Sequence, residues 1–361
     1  MILTLSILAA LVVAVILVLN FYPHLGGKPS SEQKQRRVQS KNFQNGKFIN
    51  QIPTRMDSSV KTSLSILRDF VKPNPNRKPG SPLPMEPLHL PEDQDAKVTW
   101  FGHSALLLQL DGKTLLVDPM FGRTPSPFPQ FGGGRYSGSL PFEIEELPVI
   151  DAVILSHDHY DHLDYGSIKR LKHKVRQFIV PLGVGAHLKR WGVAAEKIQE
   201  HDWWSEFQYE GLTLACTPAR HFSGRSLTDR DSTLWCSWVI IGEQTKLYFS
   251  GDSGYGPHFQ EIGRAYGPFD LTFMECGQYD PRWAAIHMMP EETVQAHLDV
   301  QGKVLIPIHW AAFTLALHDW TDPVERVLQA AQLNNVTLAT PKLGEAVRVH
   351  AAEYPVSTWW R

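Results

Sequence analysis

The chain has 361 residues, with 35 Lys plus Arg set against 37 Asp plus Glu, a formal net charge of −2. That balance argues against a nucleic-acid binder held by charge. Apolar residues make up 43% and charged residues 20%, which supplies a sizeable core and excludes general disorder. Cys216, Cys236 and Cys276 show no CxxC spacing; they fit reduced, small apolar residues and exclude a disulfide framework.

Residues Ile2 to Phe21 carry no charge and are dominated by Leu, Ile, Val and Ala. At 1.5 Å per residue about 20 such residues span roughly 30 Å. A cleaved signal peptide wants a basic start and a shorter apolar core. This run instead ends in Asn20-Phe21-Tyr22-Pro23, an aromatic interface followed by a breaker, so residues 1–22 are expected to form a single uncleaved span of the cell membrane. Lys28, Lys34, Arg36, Arg37, Lys41 and Lys47 follow, with Glu32 the only acid among them. The positive-inside bias then puts the rest of the chain on the cytoplasmic side. The same charges either solvate a linker or attract anionic head groups at about 1 kcal/mol each.

From 23 to 96 the sequence is basic, polar and proline-rich, with one expected helix from Ser58 to Val71: a tether, or an arm laid on the domain. A compact domain is expected over 97–350 and a tail over 351–361. Short apolar, β-branched or aromatic runs predict strands at 98–100, 105–109, 114–117, 152–155, 178–180, 212–217, 235–240, 246–249, 271–275, 303–308 and 346–350. Helical spacing with Pro or acidic residues in the first turn predicts helices at 165–171, 184–191, 290–300 and 323–333. Strands first and helices interleaved later give an α/β sandwich, two sheets with helices outside. The Pro-, Gly- and Phe-rich segment from Met120 to Tyr136 is too irregular for either and is expected to form a loop over the site mouth.

The chemistry lies in Ser156-His157-Asp158-His159-Tyr160-Asp161-His162-Leu163, where three imidazoles and two carboxylates fall within six residues after an apolar strand. In an extended turn His157 and His159 point the same way, while Asp161 and His162 follow a bend and can face a second point. One loop can therefore serve two cations. His221, Asp252 and His309 each fall at or just past the C-terminal end of a predicted strand, where one sheet edge would converge. Nitrogen and carboxylate ligands without thiolate suit zinc, and also manganese or iron. His173, His187, His201, His258, His297, His318 and His350 lack such placement and read as surface or core residues.

These residues resemble the metallo-β-lactamase superfamily, over the stretch from Lys97 to about His350 and with no position departing from its pattern. The resemblance implies a four-layer αβ/βα sandwich, here behind the N-terminal membrane helix. It implies two divalent ions, one held by His157, His159 and His221, the other by Asp161, His162 and His309, with Asp252 between them. Trp100-Phe101-Gly102-His103-Ser104-Ala105, Asp118-Pro119 with Phe121, Pro218-Ala219-x-His221-Phe222-Ser223-Gly224-Arg225, Gly251-Asp252-Ser253-Gly254-Tyr255, His287-Met288-x-Pro290 and Ile308-His309-Trp310 look like its N-acyl-phosphatidylethanolamine-hydrolysing phospholipase D branch. The ascorbate-6-phosphate lactonase group shares the Gly-His-Ser opening and is the alternative, as a lactonase or phosphoesterase on a small soluble metabolite.

The phospholipase resemblance implies a membrane phospholipid as substrate and a metal-bridging hydroxide that cleaves a phosphodiester into N-acylethanolamine and phosphatidic acid. His287 would bind phosphate or protonate the leaving alkoxide. His103 would orient ligands. Arg225 would pair with phosphate, or simply with Asp229 or Asp231. A nuclease fits poorly with the net charge, and a vestigial, non-enzymatic site fits poorly with a complete ligand set.

Overall fold

The computed structural model describes residues 2–57, 59–90 and 95–361; Ser58, the expected start of the arm helix, and 91–94 lie outside the described residues. In chain order the arm carries α1 (Ile2–Phe21), α2 (Ser31–Gln39), a hairpin of β1 (Phe43–Gln44) and β2 (Lys47–Phe48), and α3 (Val60–Val71). The body follows with β3 (Lys97–Trp100), β4 (Leu106–Leu110), β5 (Lys113–Val117), β6 (Ile150–Ile154), α4 (Tyr165–Leu171), β7 (Val175–Pro181), α5 (Gly185–Arg190), β8 (Ile198–His201), β9 (Ser205–Tyr209), β10 (Leu212–Thr217), β11 (Ser237–Ile241) and β12 (Lys246–Phe249). It ends with α6 (His258–Tyr266), β13 (Phe269–Glu275), α7 (Pro290–Asp299), β14 (Gly302–Ile308), α8 (Asp322–Leu333), β15 (Thr337–Leu338) and β16 (Ala346–Arg348).

Two seven-stranded mixed sheets form, ordered β16-β3-β4-β5-β6-β7-β8 and β15-β14-β13-β12-β11-β10-β9. In the first, β3, β4 and β5 are antiparallel and β5 to β8 parallel. In the second, β9 to β12 are antiparallel and β12 to β15 parallel. The central strands read as continuous apolar runs because both faces are buried. Along β4 and β5 the period of two sends Leu106, Leu108, Leu115 and Val117 into the core between the sheets, with Trp238, Leu247, Leu271 and Phe273 opposite. Leu107 and Leu116 point the other way and pack with Ile168 of α4 and Leu188 of α5.

The arm lies on this body. Its α2 is closed by a Ser30–Gln33 capping box, buries Gln33 and Arg37, and reaches Glu200 through Gln33 Nε2 at 3.4 Å. Val38 is the one aliphatic residue of α2 and is exposed, so no hydrophobic period announces this helix in the sequence. The edge strands β8 and β9 were equally silent, being half polar and paired on one side only. The helix α6 runs unbroken through Gly263, where a Cβ would stand 2.2 Å from the Asp299 carbonyl oxygen. At the other end, Trp359 and Trp360 pack on Trp310.

The helix α1 meets the length and composition needed to cross a bilayer over Thr4–Phe21, with none of that stretch buried in the protein.

Candidate metal centre

Every residue singled out for metal chemistry falls at one end of the two sheets. The loop 156–163 leaves β6, turns through Leu163 N–H donating to the His159 carbonyl at 2.8 Å, and is stopped by Asp164, which caps α4 through Ser167 N at 2.7 Å. His221 follows β10, Asp252 follows β12 and His309 directly follows β14. His103, in the β3–β4 connection, joins the sheets: its amide donates to Trp310 O and its carbonyl accepts from His309 N, both at 2.8 Å. Left-handed backbone occurs at four positions of the site, His103 (φ 54°), Asp118 (φ 40°), Gly251 (φ 56°) and His309 (φ 68°). At Gly251 the absence of a side chain is required twice, since a Cβ would also lie 2.5 Å from Cys236 O.

Two groups of donor atoms result. His157 Nε2 lies 2.9 Å from His159 Nδ1, which lies 3.2 Å from His221 Nε2. Asp161 Oδ2 lies 3.5 Å from His162 Nε2 and 3.4 Å from His309 Nε2. Asp252 Oδ2 stands between the groups, 3.7 Å from His157 and His221, 3.1 Å from His162 and 3.2 Å from His309.

The outer ring nitrogens explain the inward lone pairs. Asp118 takes the Ser156 hydroxyl at 2.5 Å and the Ser156 amide at 2.7 Å. The Ser156 oxygen thereby faces His157 Nδ1–H at 2.9 Å as an acceptor. The same carboxylate takes His162 Nδ1–H at 2.7 Å. His221 Nδ1–H meets Ile286 O at 2.9 Å, and His309 Nδ1–H meets Gly277 O at 3.3 Å. In all four Nδ1–H is held outside and Nε2 faces inward, where a metal ion would take the place of any proton on Nε2.

The electrostatics of the site suit a bound cation. Burial, with neighbouring imidazoles, holds His157 and His221 neutral, well below the usual histidine range. Burial alone would raise Asp161 and Asp252, yet His162 beside them holds both well below the carboxylate range. Burial would likewise lower His162 and His309, but Asp252 and Asp161 push His162 well up and His309 to about 10. Two imidazolium charges thus offset two buried carboxylates, the task a bound cation performs. Buried Asp252 Oδ1 and His162 Nε2 also lack a hydrogen-bond partner. This all-nitrogen-and-oxygen donor set fits divalent metal ions.

The other expected residues are placed as follows. His103, fully buried, sets Nε2 2.9 Å from Asp161 Oδ2; burial lowers it to about 3, so the neutral ring donates Nε2–H to that carboxylate. His287 sets Nδ1 2.8 Å from Glu275 Oε2, stacks on His309 at 5.1 Å and keeps 13% of its side chain exposed. Arg225 is a correction to the substrate-binding expectation. Its Nη1 donates to Asp158 O at 2.6 Å and Leu163 O at 2.8 Å, and its Nε and Nη2 donate to His24 O. That guanidinium clamps both ends of the metal loop to the foot of α1, stacked over Tyr160, and it faces backbone carbonyls instead of a phosphate site.

Asp118, Ser156 and Glu275 carry ligand orientation; the sequence shows Asp118 and Ser156 only as members of motifs, without a role, and does not mark Glu275. Asp118 directly follows β5, so the strand-end rule that selected His309 would have found it. Glu275, whose pKa burial raises, ends β13 and takes Met288 N at 2.8 Å as well as His287. Of the histidines set aside, His187, His258 and His297 are buried on Asp158, Ser253 and Thr272 respectively. The 120–136 loop is irregular and pinned by buried Arg135, which donates to Phe101 O at 3.1 Å and also to Met120 O; its Phe128 stacks on Tyr22 at 5.2 Å.

Mixed sheets with paired histidine and carboxylate groups at one edge define a metal-dependent hydrolase fold. A family model described as a beta-lactamase superfamily domain matches residues 113–310, and the chain belongs to that superfamily. A Mycobacterium tuberculosis protein without assigned function is 42% identical over 330 residues, 90% of this chain and 88% of its own. The N-acyl-phosphatidylethanolamine-hydrolyzing phospholipase D 1 of Caenorhabditis elegans is 34% identical over 264 residues, 68% of this chain and 74% of its own. In fold, the chain is similar to a metallo hydrolase from Ignicoccus hospitalis, with a TM-score of 0.55 and 21% identity over 70% of this chain and 97% of that one.

Proposed function

We propose that this protein is a membrane-held phosphodiesterase that hydrolyses N-acyl-phosphatidylethanolamine-type phospholipids to N-acylethanolamine and phosphatidic acid. The observation that carries the reading is the likeness to the nematode phospholipase D across two thirds of the chain. It is supported by the tie from Arg225 to His24 O, which holds the metal loop at the foot of α1. In this reading α1 crosses the cell membrane and the body lies on the cytoplasmic side.

His157, His159 and His221 would hold one divalent ion and Asp161, His162 and His309 the other, with Asp252 available to both; zinc is the first choice, with manganese or iron the alternatives. When bound, such a pair supplies an acidified water and stabilises charge on phosphate oxygens. The chain's own work is to fix four imidazoles, His157, His162, His221 and His309, through Asp118, Ser156 and backbone carbonyls and to hold Asp161 with His103. Glu275 fixes His287 through Nδ1, leaving Nε2 to meet the substrate phosphate or to give a proton to the departing alkoxide oxygen.

The test is mass spectrometry of products from metal-loaded wild type and Asp252→Ala, each given vesicles of N-acyl-phosphatidylethanolamine mixed with phosphatidylethanolamine. Wild type alone should release N-acylethanolamine. No product from either lipid by protein with metal bound would overturn the reading in favour of a small soluble phosphoester or lactone.

A further inference from the structure

A cavity of about 520 Å³ lies at the foot of α1 and is lined by none of the metal-ligand candidates. One side is apolar, formed by Leu19, Phe21 and Leu25, and the other carries Lys28, Arg37 and Arg190. Arg37 is the telling member. It is 6% exposed, its buried Nε has no hydrogen-bond partner, and its Nη2 makes one long bond to Gly183 O at 3.4 Å. Among the described residues no carboxylate forms an ion pair with it; the two nearby ones act through charge alone, Glu200 accepting from the amides of Gly183 and Gly185 and Asp158 engaged by His187, Thr233 and the Gly224 amide. A guanidinium withdrawn from water with so little compensation is costly and calls for an anion.

The other two cations are held in place without being consumed. Lys28 Nζ donates to Asn20 Oδ1 at 2.7 Å and Arg190 Nη2 to Asn20 O at 3.1 Å, which leaves donors on each. The one acidic residue of the lining, Asp229, spends Oδ1 on the amides of Arg225 and Ser226. Three cations therefore face one partly engaged carboxylate. The apolar wall continues into the exposed aliphatic surface of α1, so the cavity matches a ligand with an anionic head and hydrocarbon tail.

We propose that this cavity binds the phosphate head group of an anionic phospholipid, its acyl chains lying along α1, at a site separate from the metal centre. The placement of the acyl chains, and that alone, rests on α1 being the bilayer helix of the proposed function. Charge-assisted hydrogen bonds from Arg37, Lys28 and Arg190 recognise the phosphate, and the same chemistry would also accept free phosphate.

The experiment is native mass spectrometry of the full chain, delipidated in neutral detergent and titrated with phosphatidylglycerol. One lipid per chain should persist in wild type and in Lys72→Gln, a basic arm residue outside the cavity. Apparent affinity should fall about tenfold in Lys28→Gln and in Arg37→Gln. Lys28 is exposed, so its variant decides the matter even where loss of buried Arg37 impairs folding. Equal affinity in wild type and Lys28→Gln overturns the proposal, and displacement of the lipid by inorganic phosphate overturns the lipid assignment in favour of free phosphate. Flotation with neutral phosphatidylcholine vesicles tests the span alone: wild type and variants should float alike, whereas lipid retention without flotation keeps the site and removes the span.

Discussion

The side chain of Asn50 grips the backbone of His221 from both directions. Its Nδ2 donates to the His221 carbonyl at 2.8 Å, and its Oδ1 accepts the His221 amide at 3.1 Å together with Trp235 Nε1 at 3.1 Å. A residue of the N-terminal arm thus sets the position of an imidazole of the domain.

Asn50→Ala should therefore weaken metal binding selectively. Supporting contacts of this kind are worth about 10–100-fold in metal affinity, and the loss should fall on the group of His157, His159 and His221. Chelator competition with metal counting should show one ion leaving earlier than in wild type while the other is retained. Two ions released together at the wild-type chelator concentration would contradict it.

Asp118→Asn should instead weaken both ions. One carboxylate orients His162 directly and His157 through Ser156, and an amide would set an N–H against one of three donors. An affinity loss of about 10–100-fold at each ion is expected, read in the same competition experiment. Loss at a single ion would break the proposed relay through Ser156.

The difference between these two residues also marks what the sequence disclosed. Asp118 sits at the C-terminal end of an apolar strand, so its neighbourhood to the His-rich loop follows from sheet order alone. Asn50 lies 171 positions from its partner in a segment whose polar composition carries no period, and nothing local says where it lands. The ligand loop was legible because metal chemistry demands rare side chains at close spacing. The central strands were legible because burial on both faces forces continuous apolar runs. Polar edge strands such as β9, and a helix docked by Gln33 and Arg37, leave no such trace. Arg225 misled for a related reason: a guanidinium in a motif reads the same whether it meets a phosphate or three carbonyls.

That reassignment of Arg225 makes a sharp prediction. Arg225→Lys keeps one positive charge but cannot reach Asp158 O, Leu163 O and His24 O together. Each buried carbonyl left unpaired costs about 1–3 kcal/mol, so denaturant unfolding should show a stability loss of several kcal/mol. KM of the surviving folded fraction should stay near wild type. A raised KM with unchanged stability would return Arg225 to the substrate.

Acid should destabilise the fold through histidines remote from the metals. His297 is 1% exposed and held on Thr272 Oγ1 at 2.7 Å, and burial lowers its pKa from 6.5 to about 4; His201, stacked on Phe207, is lowered likewise to about 4. Between pH 6.5 and 4 the unfolded chain binds these protons and the folded chain does not, so stability is full above pH 6.5 and is lost as pH falls toward 4. Each proton contributes at most about 1.4 kcal/mol per pH unit. Urea unfolding of wild type and His297→Asn at pH 7.5, 6 and 5 should give a shallower decline in the variant, approaching one proton less. Both chains contain the same carboxylates and metal centre, so the difference in slope isolates His297, and parallel declines would show that this imidazole is protonated inside the fold.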